Sequence, residues 1–148
     1  MSGQEHSVTL RRYQVADYDS VATLWTRILE VFSEAKRNAF WVVESSNQIV
    51  GSFGIESRSE NDTELRRMYL DKEYRGSGIA QRMLDCAQTT ARQLGFTKMI
   101  LSTAQIQRAA DRFYRKNGFR QIRTEVAEVM TAKQAGGGLT RFHFEKPL

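Results

Sequence analysis

The 148-residue sequence predicts an α/β or α+β domain built around a mixed sheet. Stretches rich in β-branched and aromatic residues alternate with three stretches whose apolar residues recur at helical spacing. Gly95 and Gly118 directly follow two of the helical stretches, as helix-ending glycines do. The length suits one core, and no linker or repeat is evident, so we expect a single domain over residues 1–148.

The chain begins with a predicted strand and a predicted helix. Residues 6–14 alternate between apolar and polar side chains, which is typical of a strand. Asp17 or Asp19 is placed to cap a helix whose apolar residues recur over residues 21–32. Residues 34–39 then predict an irregular connection.

Two β-rich runs in residues 40–57 predict a hairpin that turns at Ser45–Gln48. Thr63 to Leu70 alternates and predicts the next strand. The apolar residues from Ile79 to Leu94 then recur at helical spacing, so a helix is expected there.

The remaining residues predict one more helix and three strands. Residues 96–103 form a short apolar run typical of a buried strand, and residues 107–119 have one apolar face and predict a helix. Residues 119–130 and 139–148 predict the last two strands. The glycine-rich tract Lys133–Thr140 predicts the loop between them.

The composition indicates in which compartment the protein works and which partners it has. No apolar run approaches the ~20 residues of a membrane span, and the N-terminus lacks the pattern of a secretory signal. The single cysteine, Cys86, fits a reducing compartment, so we expect a cytoplasmic protein with no membrane partner. His6 and His143 lie far apart, and no Cys/His cluster has metal-ligand spacing, so no metal is expected.

The net charge of +5 favours anionic partners, among them a phosphorylated cofactor, an acidic substrate or nucleic acid. The basic residues are interleaved with acidic ones and form no long block. A solvated basic surface therefore explains most of them better than nucleic-acid binding does.

The stretch EYRGSGIAQRMLDCA, residues 73–87, places two glycines and an arginine at the start of a predicted helix. The first backbone N–H groups of a helix have no intrahelical acceptor, and the helix dipole adds partial positive charge there. Glycine lets an anion approach those donors, and Arg75 adds a full charge. The segment is suited to binding a pyrophosphate, although a tight structural turn would also explain the glycines.

Two motifs make the chain resemble a known family. Arg75–Ala80 matches the Gln/Arg-x-x-Gly-x-Gly/Ala signature of the GNAT superfamily of acyl-coenzyme A N-acyltransferases. Ala109 to Ile122 resembles the second signature, Ala-x-x-(Phe/Leu)-Tyr-x-x-x-Gly-Phe. The resemblance is sharpest from Thr63 to Ile122, and the flanking elements agree in order. It implies a mostly antiparallel sheet of six to seven strands that splays between its fourth and fifth strands.

The resemblance also implies how acetyl-coenzyme A would be bound. The backbone of the fourth strand would hold the pantetheine arm, and the glycine-rich turn would hold the pyrophosphate. Gln107 stands where the family usually has an asparagine that contacts the cofactor arm. Arg82, further into the helix, would reach a phosphate or would be a solvated surface residue. The implied cofactor-binding residues are Met68, Tyr69, Leu70, Arg75, Gly76, Ser77, Gly78, Ile79, Ala80, Gln107 and Tyr114.

Two residues are candidates for catalysis. By resemblance, Tyr114 would protonate the departing thiolate, although a tyrosine on an apolar helix face is also a common core residue. Glu64 would be the general base, and with regular pleating it would share a face with Arg66, Met68 and Leu70. A salt-bridged surface glutamate is the alternative, and a bulge in this strand would change which side chains face the site.

The sequence thus predicts transfer of an acetyl group to the amine of a small molecule, an amino acid or a peptide, by direct attack. A non-catalytic acyl-coenzyme A sensor and a protein N-acetyltransferase are the alternatives, and a homodimer would be common in such enzymes. The first helix, Glu34–Ala39 and the last hairpin would form the acceptor site. Lys36, Arg37 and Arg66 would favour an acidic acceptor.

Overall fold

The computed structural model describes residues 7–17, 37–104, 108–126 and 140–148. Within them, seven strands form one sheet. The strands are β1 Thr9–Arg12, β2 Ala39–Ser45, β3 Gln48–Ser57, β4 Asp62–Leu70, β5 Lys98–Thr103, β6 Arg120–Val126 and β7 Thr140–Pro147. The helices are α1 Ile79–Gln93 and α2 Arg108–Lys116, with 3-10 turns at Val15–Asp17 and Lys72–Tyr74.

The strand order is β1-β2-β3-β4-β5-β7-β6. Five of the six neighbouring pairs are antiparallel, and only β4 and β5 run parallel. This pair is parallel because α1 crosses over between its strands. The predicted mixed, mostly antiparallel sheet with helices is confirmed.

The β2–β3 hairpin turns where the sequence predicts. Ser45 pairs with Gln48, and the two residues between them, Ser46 and Asn47, have φ values of 49° and 62°. Two consecutive positive φ values are typical of the tight turns that match strand twist.

Helix α1 packs its apolar face on β3 and β4. Its fully buried residues recur at helical spacing, which explains why the sequence predicts the helix well. Gly95 has a φ of 92° just after this helix, and Gly118 has a φ of 89° just after α2, so both predicted helix ends are confirmed. The buried residues of α1 are Ile79, Met83, Leu84, Ala87, Gln88 and Ala91.

Several predicted features lie outside the described residues. They are the helix over residues 21–32 with Asp19, residues 34–36 of the connection 34–39, Gln107 and the loop 133–139. In the parts of the chain that are described, no helix is long and apolar enough to cross a bilayer.

Asp17, one of the two predicted caps, is the centre of a polar cluster beside β1. Both Arg11 Nη atoms donate to its carboxylate at 2.8 Å, and the Gln14 backbone N–H donates at 2.8 Å. Arg11 Nε donates to Glu44 on β2, also at 2.8 Å. The Asp17 side chain is only 8% exposed, and these bonds, led by that from Arg11, hold the pKa of its carboxyl below 3.8.

We expect Asp17→Asn to lower the free energy of unfolding by about 1.5–3 kcal/mol at neutral pH, the range for hydrogen bonds to charged groups. Because the folded state lowers the pKa of Asp17, its stabilisation is complete above the usual value of 3.8 and is lost as pH falls through the folded value. Urea unfolding across this range measures the gap between wild type and variant. Asp85→Asn, at an exposed position on α1, is the matched control. A gap that persists unchanged in strong acid would contradict this role.

Candidate functional site

A cleft of about 310 Å³ opens where β4 and β5 diverge. Their parallel pairing ends at Glu64 and Ile100, although β4 continues to Leu70. Beyond that point β5 pairs, among the described residues, only with β7, through Thr103. The splay predicted between the fourth and fifth strands is therefore present. The cleft is lined by Glu64, Leu65, Arg66, Arg67, Met68, Leu101, Ser102, Thr103, Tyr114 and Arg141.

A bulge interrupts β4 along the wall of this cleft. Gly54 of β3 pairs with Arg66 and Ser52 with Tyr69, so one residue of β3 stands opposite two of β4. The first of those two, Arg67, has a φ of 53°, and its carbonyl accepts a hydrogen bond of 2.9 Å from Ser52 Oγ. The bulge that the sequence analysis considered is therefore present.

The bulge changes which side chains share a face. Directly opposed residues of an antiparallel pair lie on the same face, so Glu64, Arg66 and Tyr69 lie on one face and Leu65 and Leu70 on the other. Leu70 is 7% exposed and belongs to the core that contains α1. The expectation that Leu70 shares a face with Glu64 is therefore wrong, because it assumed regular pleating.

On the side that faces β5, the part of β4 beyond Glu64 has no strand beside it among the described residues. This edge includes the three residues predicted to hold the pantetheine arm, Met68, Tyr69 and Leu70. Met68 lines the cleft, and the Leu70 carbonyl accepts a hydrogen bond of 2.8 Å from Arg75 Nε. A strand edge of this kind offers main-chain donors and acceptors to an extended ligand.

The glycine-rich turn opens directly onto the start of α1. Gly76 and Gly78 have φ values of 79° and 84°, and a Cβ placed on either would meet nothing within 4 Å. The first intrahelical bond runs from Arg82 N to the Gly78 carbonyl. The N–H groups of residues 78–81 therefore have no intrahelical acceptor, and the space around the glycines is open. These features fit a diphosphate.

Side chains around this turn hold it in shape. The Ser77 hydroxyl donates to the Tyr74 carbonyl at 2.7 Å, and the Arg75 backbone N–H donates to the Lys72 carbonyl at 3.2 Å. The Arg75 amide is thus engaged within the protein, unlike those at the helix start. Arg82, the second candidate phosphate ligand, donates from Nη2 to the Val8 carbonyl at 3.4 Å.

Tyr114 lies on α2 and reaches the cleft from the side of β7. Its ring contacts those of Phe119 and Phe144, with centroids 5.7 and 6.0 Å apart, so the ring is fixed by packing. Within the described residues its hydroxyl makes no hydrogen bond, and the residue lines the cleft. Burial raises the pKa of Tyr114 above its ordinary value of 10.0, so the hydroxyl carries its proton at neutral pH.

Glu64 lines the same cleft, and its carboxylate is engaged in an ion pair. Arg58, in the loop after β3, contacts it through both Nε and Nη2. Glu56 lies 3.5 Å from Arg58 and 3.0 Å from Arg66, which joins these four residues in one network. Glu64 therefore forms the salt bridge that the sequence analysis considered, and it also lines the cleft.

The sequence analysis missed Arg141 and Ser102. Arg141 Nη2 donates to Ser102 Oγ at 3.0 Å across the β7–β5 pair. No local pattern could have placed Arg141 in the cleft, because its position depends on the pairing of the last strand with the fifth. Arg37, which was expected near the acceptor, instead donates to the Leu94 and Glu60 carbonyls and does not line the cleft.

Comparison with known proteins identifies the family. A family profile described as "Acetyltransferase (GNAT) domain" matches residues 36–121, more than half of the chain. The chain belongs to the GNAT acetyltransferase family. Both signatures that carry the resemblance, Arg75–Ala80 and Ala109–Ile122, fall within this match or extend one residue beyond it.

Curated GNAT relatives match part of their length. The uncharacterized N-acetyltransferase YjgM of Escherichia coli K12 is 35% identical over 98 residues, covering 64% of this chain and 58% of the relative. The N-acetylaspartate synthetase of Danio rerio is 34% identical over 86 residues, covering 57% and 30%. The chain thus spans less than two thirds of the curated relatives that it matches.

Solved GNAT structures match nearly the whole fold. An acetyltransferase from Staphylococcus aureus Mu50 superposes with a TM-score of 0.77 at 19% identity, covering 96% of this chain and 99% of that one. A phosphinothricin acetyltransferase from Sinorhizobium meliloti, solved with AcCoA, gives 0.77 at 19% identity, covering 95% and 88%. At this level of identity the likeness concerns the fold alone.

Proposed function

We propose that the chain is an acetyl-CoA-dependent N-acetyltransferase in which an amine attacks the thioester directly, without an acyl-enzyme. One observation carries this proposal. A cleft that contains Tyr114 is continuous along β4 with an unpaired strand edge, and that edge leads to open backbone amides at the start of α1. Family membership supports it, because the matched profile describes acetyltransferases.

The cofactor would lie along this path. The edge of Met68, Tyr69 and Leu70 would pair with the pantetheine arm, as a short added strand does. The amides around Gly76–Ala80, with Arg75 beside them, would bind the diphosphate. Gln107 remains a proposed ligand of the arm on the strength of the motif alignment. Bound acetyl-CoA supplies an activated acyl group, and the protein's part is to position it.

The residues of the cleft would then carry out the proton transfers. An alkylamine has a pKa near ~10.4 and must lose a proton before it can attack, and we propose that Glu64 accepts it directly or through water. Tyr114 would donate a proton to the departing thiolate, and the Met68 backbone N–H would stabilise charge on the carbonyl oxygen.

The acceptor would be a small-molecule amine, an amino acid or a peptide end. One relative, N-acetylaspartate synthetase, is named for an acetylated amino acid, which supports a small acceptor here. A protein N-acetyltransferase and a non-catalytic acyl-CoA sensor are the remaining candidates. We place the enzyme in the cytoplasm, where its single thiol, Cys86, would stay reduced.

The function is tested by calorimetry with CoA and acetyl-CoA, followed by a thiol-release screen over amino acids, polyamines, aminoglycosides and peptides. We expect binding of both cofactors and saturable release of CoA that requires an amine. Absence of any heat of association with well-folded protein would refute the proposal. Tight binding without release across the panel would favour the sensor instead.

A further inference from the structure

The cleft carries an excess of positive charge. Of the residues that line it, one is acidic and three are arginines. The acidic residue is Glu64, and the arginines are Arg66, Arg67 and Arg141. An excess of cations in a partly enclosed space attracts an anion more strongly than the same charges do on an open surface.

Part of this charge is balanced inside the protein. Arg66 lies 3.0 Å from Glu56, and Glu64 is paired with Arg58. These two arginines and two glutamates sum to zero net charge. Arg141 lies outside this network and adds a further positive charge to the cleft.

Arg67 and Arg141 come from opposite walls of the cleft. Arg67 lies in the β4 bulge, and Arg141 lies on β7, next to β5. In the described part of the chain Arg141 forms no ion pair, and its guanidinium hydrogen-bonds the neutral Ser102 hydroxyl. Burial, and then the charge of Arg66, lower the pKa of Arg67.

We propose that the acceptor is an amine that carries a carboxylate, and that Arg141 is the residue that selects it by binding that carboxylate across from Arg67. The inference rests on the proposed acetyltransferase function and names its substrate class. Guanidinium presents a planar fork of donors that matches the two oxygens of a carboxylate. The same charges would repel polyamines and other polycations.

The phosphates of the cofactor do not account for Arg141. The amides without an intrahelical acceptor belong to residues 78–81 at the start of α1, and none of these residues lines the cleft. Arg141 instead shares the cleft with Tyr114 and Glu64, the proposed acid and base. A carboxylate on Arg141 would therefore place the acceptor, not the cofactor.

The first experiment compares amines that differ only in the carboxylate. The pairs are leucine and leucinamide, and 4-aminobutyrate and butylamine, with putrescine as a dication. We expect kcat/KM to be at least tenfold higher for the carboxylate member of one or more pairs. Leucinamide makes the test strict. Its amine has a pKa close to that of a peptide α-amino group (~8), so more of it is unprotonated at neutral pH than of the amine of leucine.

The second experiment removes the arginine. Arg141→Gln should raise KM for the preferred carboxylate about ten- to hundredfold, the range for a lost charge-assisted bond, with kcat and CoA affinity nearly unchanged. Arg141→Lys should recover part of the loss, because it restores the charge without the fork. Arg120→Gln is the matched control, because Arg120 is 76% exposed and pairs with Glu145 outside the cleft.

Several results would overturn the inference while leaving the proposed function intact. These are release of CoA with amides or putrescine at rates equal to those with carboxylates, or an Arg141→Gln variant that keeps the wild-type KM. A variant that loses affinity for CoA would assign Arg141 to the cofactor. If no amine gives turnover, the proposed function fails. Calorimetry then compares the binding of N-acetylleucine and N-acetylleucinamide to CoA-saturated protein. This comparison still decides whether Arg141 binds a carboxylate.

Discussion

Replacing Tyr114 with phenylalanine is expected to lower kcat about a hundredfold, near the lower end of the ~10²–10⁴ range for general acid catalysis. The low end applies because a departing thiol with a pKa near ~8.5 needs only modest help. The variant keeps the ring and its contacts with Phe119 and Phe144, so the positions of α2 and the cleft should not change. It removes only a hydroxyl that bonds no described residue.

The measurement is steady-state kinetics with the best amine of the panel, together with calorimetry of CoA. We expect kcat to fall, CoA affinity to stay within about twofold, and the unfolding free energy to change by less than about 1 kcal/mol, as for a hydroxyl with no structural partner. Tyr13→Phe is the matched control, because Tyr13 packs on Phe40 and does not line the cleft. Full activity in Tyr114→Phe would remove Tyr114 from the mechanism.

The dependence of kcat on pH tests the role of Tyr114 a second time. Because burial raises the pKa of Tyr114, ionisation of its hydroxyl should lower kcat only above pH 10, the ordinary value. An acid with a lowered pKa would lose activity earlier. An alkaline limb that begins well below this pH would therefore belong to another group, and it should persist in Tyr114→Phe.

Local patterns predicted the elements well because the relevant physics is local. The hairpin at Ser45–Gln48 depends on two turn residues, and α1 depends on apolar spacing followed by Gly95. Gly76 and Gly78 adopt positive φ values that only glycine tolerates easily, so the sequence also predicts the turn before α1.

The rest of the site depends on register, which a single sequence does not encode locally. The bulge at Arg67 moves Leu70 into the core, and nothing in the residues of β4 specifies where the extra residue falls. Arg58 meets Glu64 across the β3–β4 connection, and Arg141 enters the cleft because β7 inserts between β5 and β6. The register of the β3–β4 pair decides the first contact, and the pairing of strands far apart in sequence decides the second.

The glycine at the start of α1 can be tested against the glycine at its end. Gly78 and Gly95 have φ values of 84° and 92°, and a Cβ on either meets nothing within 4 Å. Alanine at either position therefore introduces the same kind of backbone strain, which costs about 1–2 kcal/mol in the left-handed region. The difference is that Gly78 stands beside the amides proposed to bind the diphosphate, whereas Gly95 lies at the opposite end of the helix.

We therefore expect Gly78→Ala and Gly95→Ala to lose similar stability but to differ in cofactor binding. Gly78→Ala should bind CoA about ten- to hundredfold more weakly, because the added methyl group displaces a charged ligand from hydrogen bonds worth about 1.5–3 kcal/mol each. Gly95→Ala should bind as wild type does. Urea unfolding and CoA calorimetry on the same preparations give both quantities. Equal CoA affinity in the two variants would mean that the turn shapes the fold and does not bind the diphosphate, since strain alone would then explain Gly78.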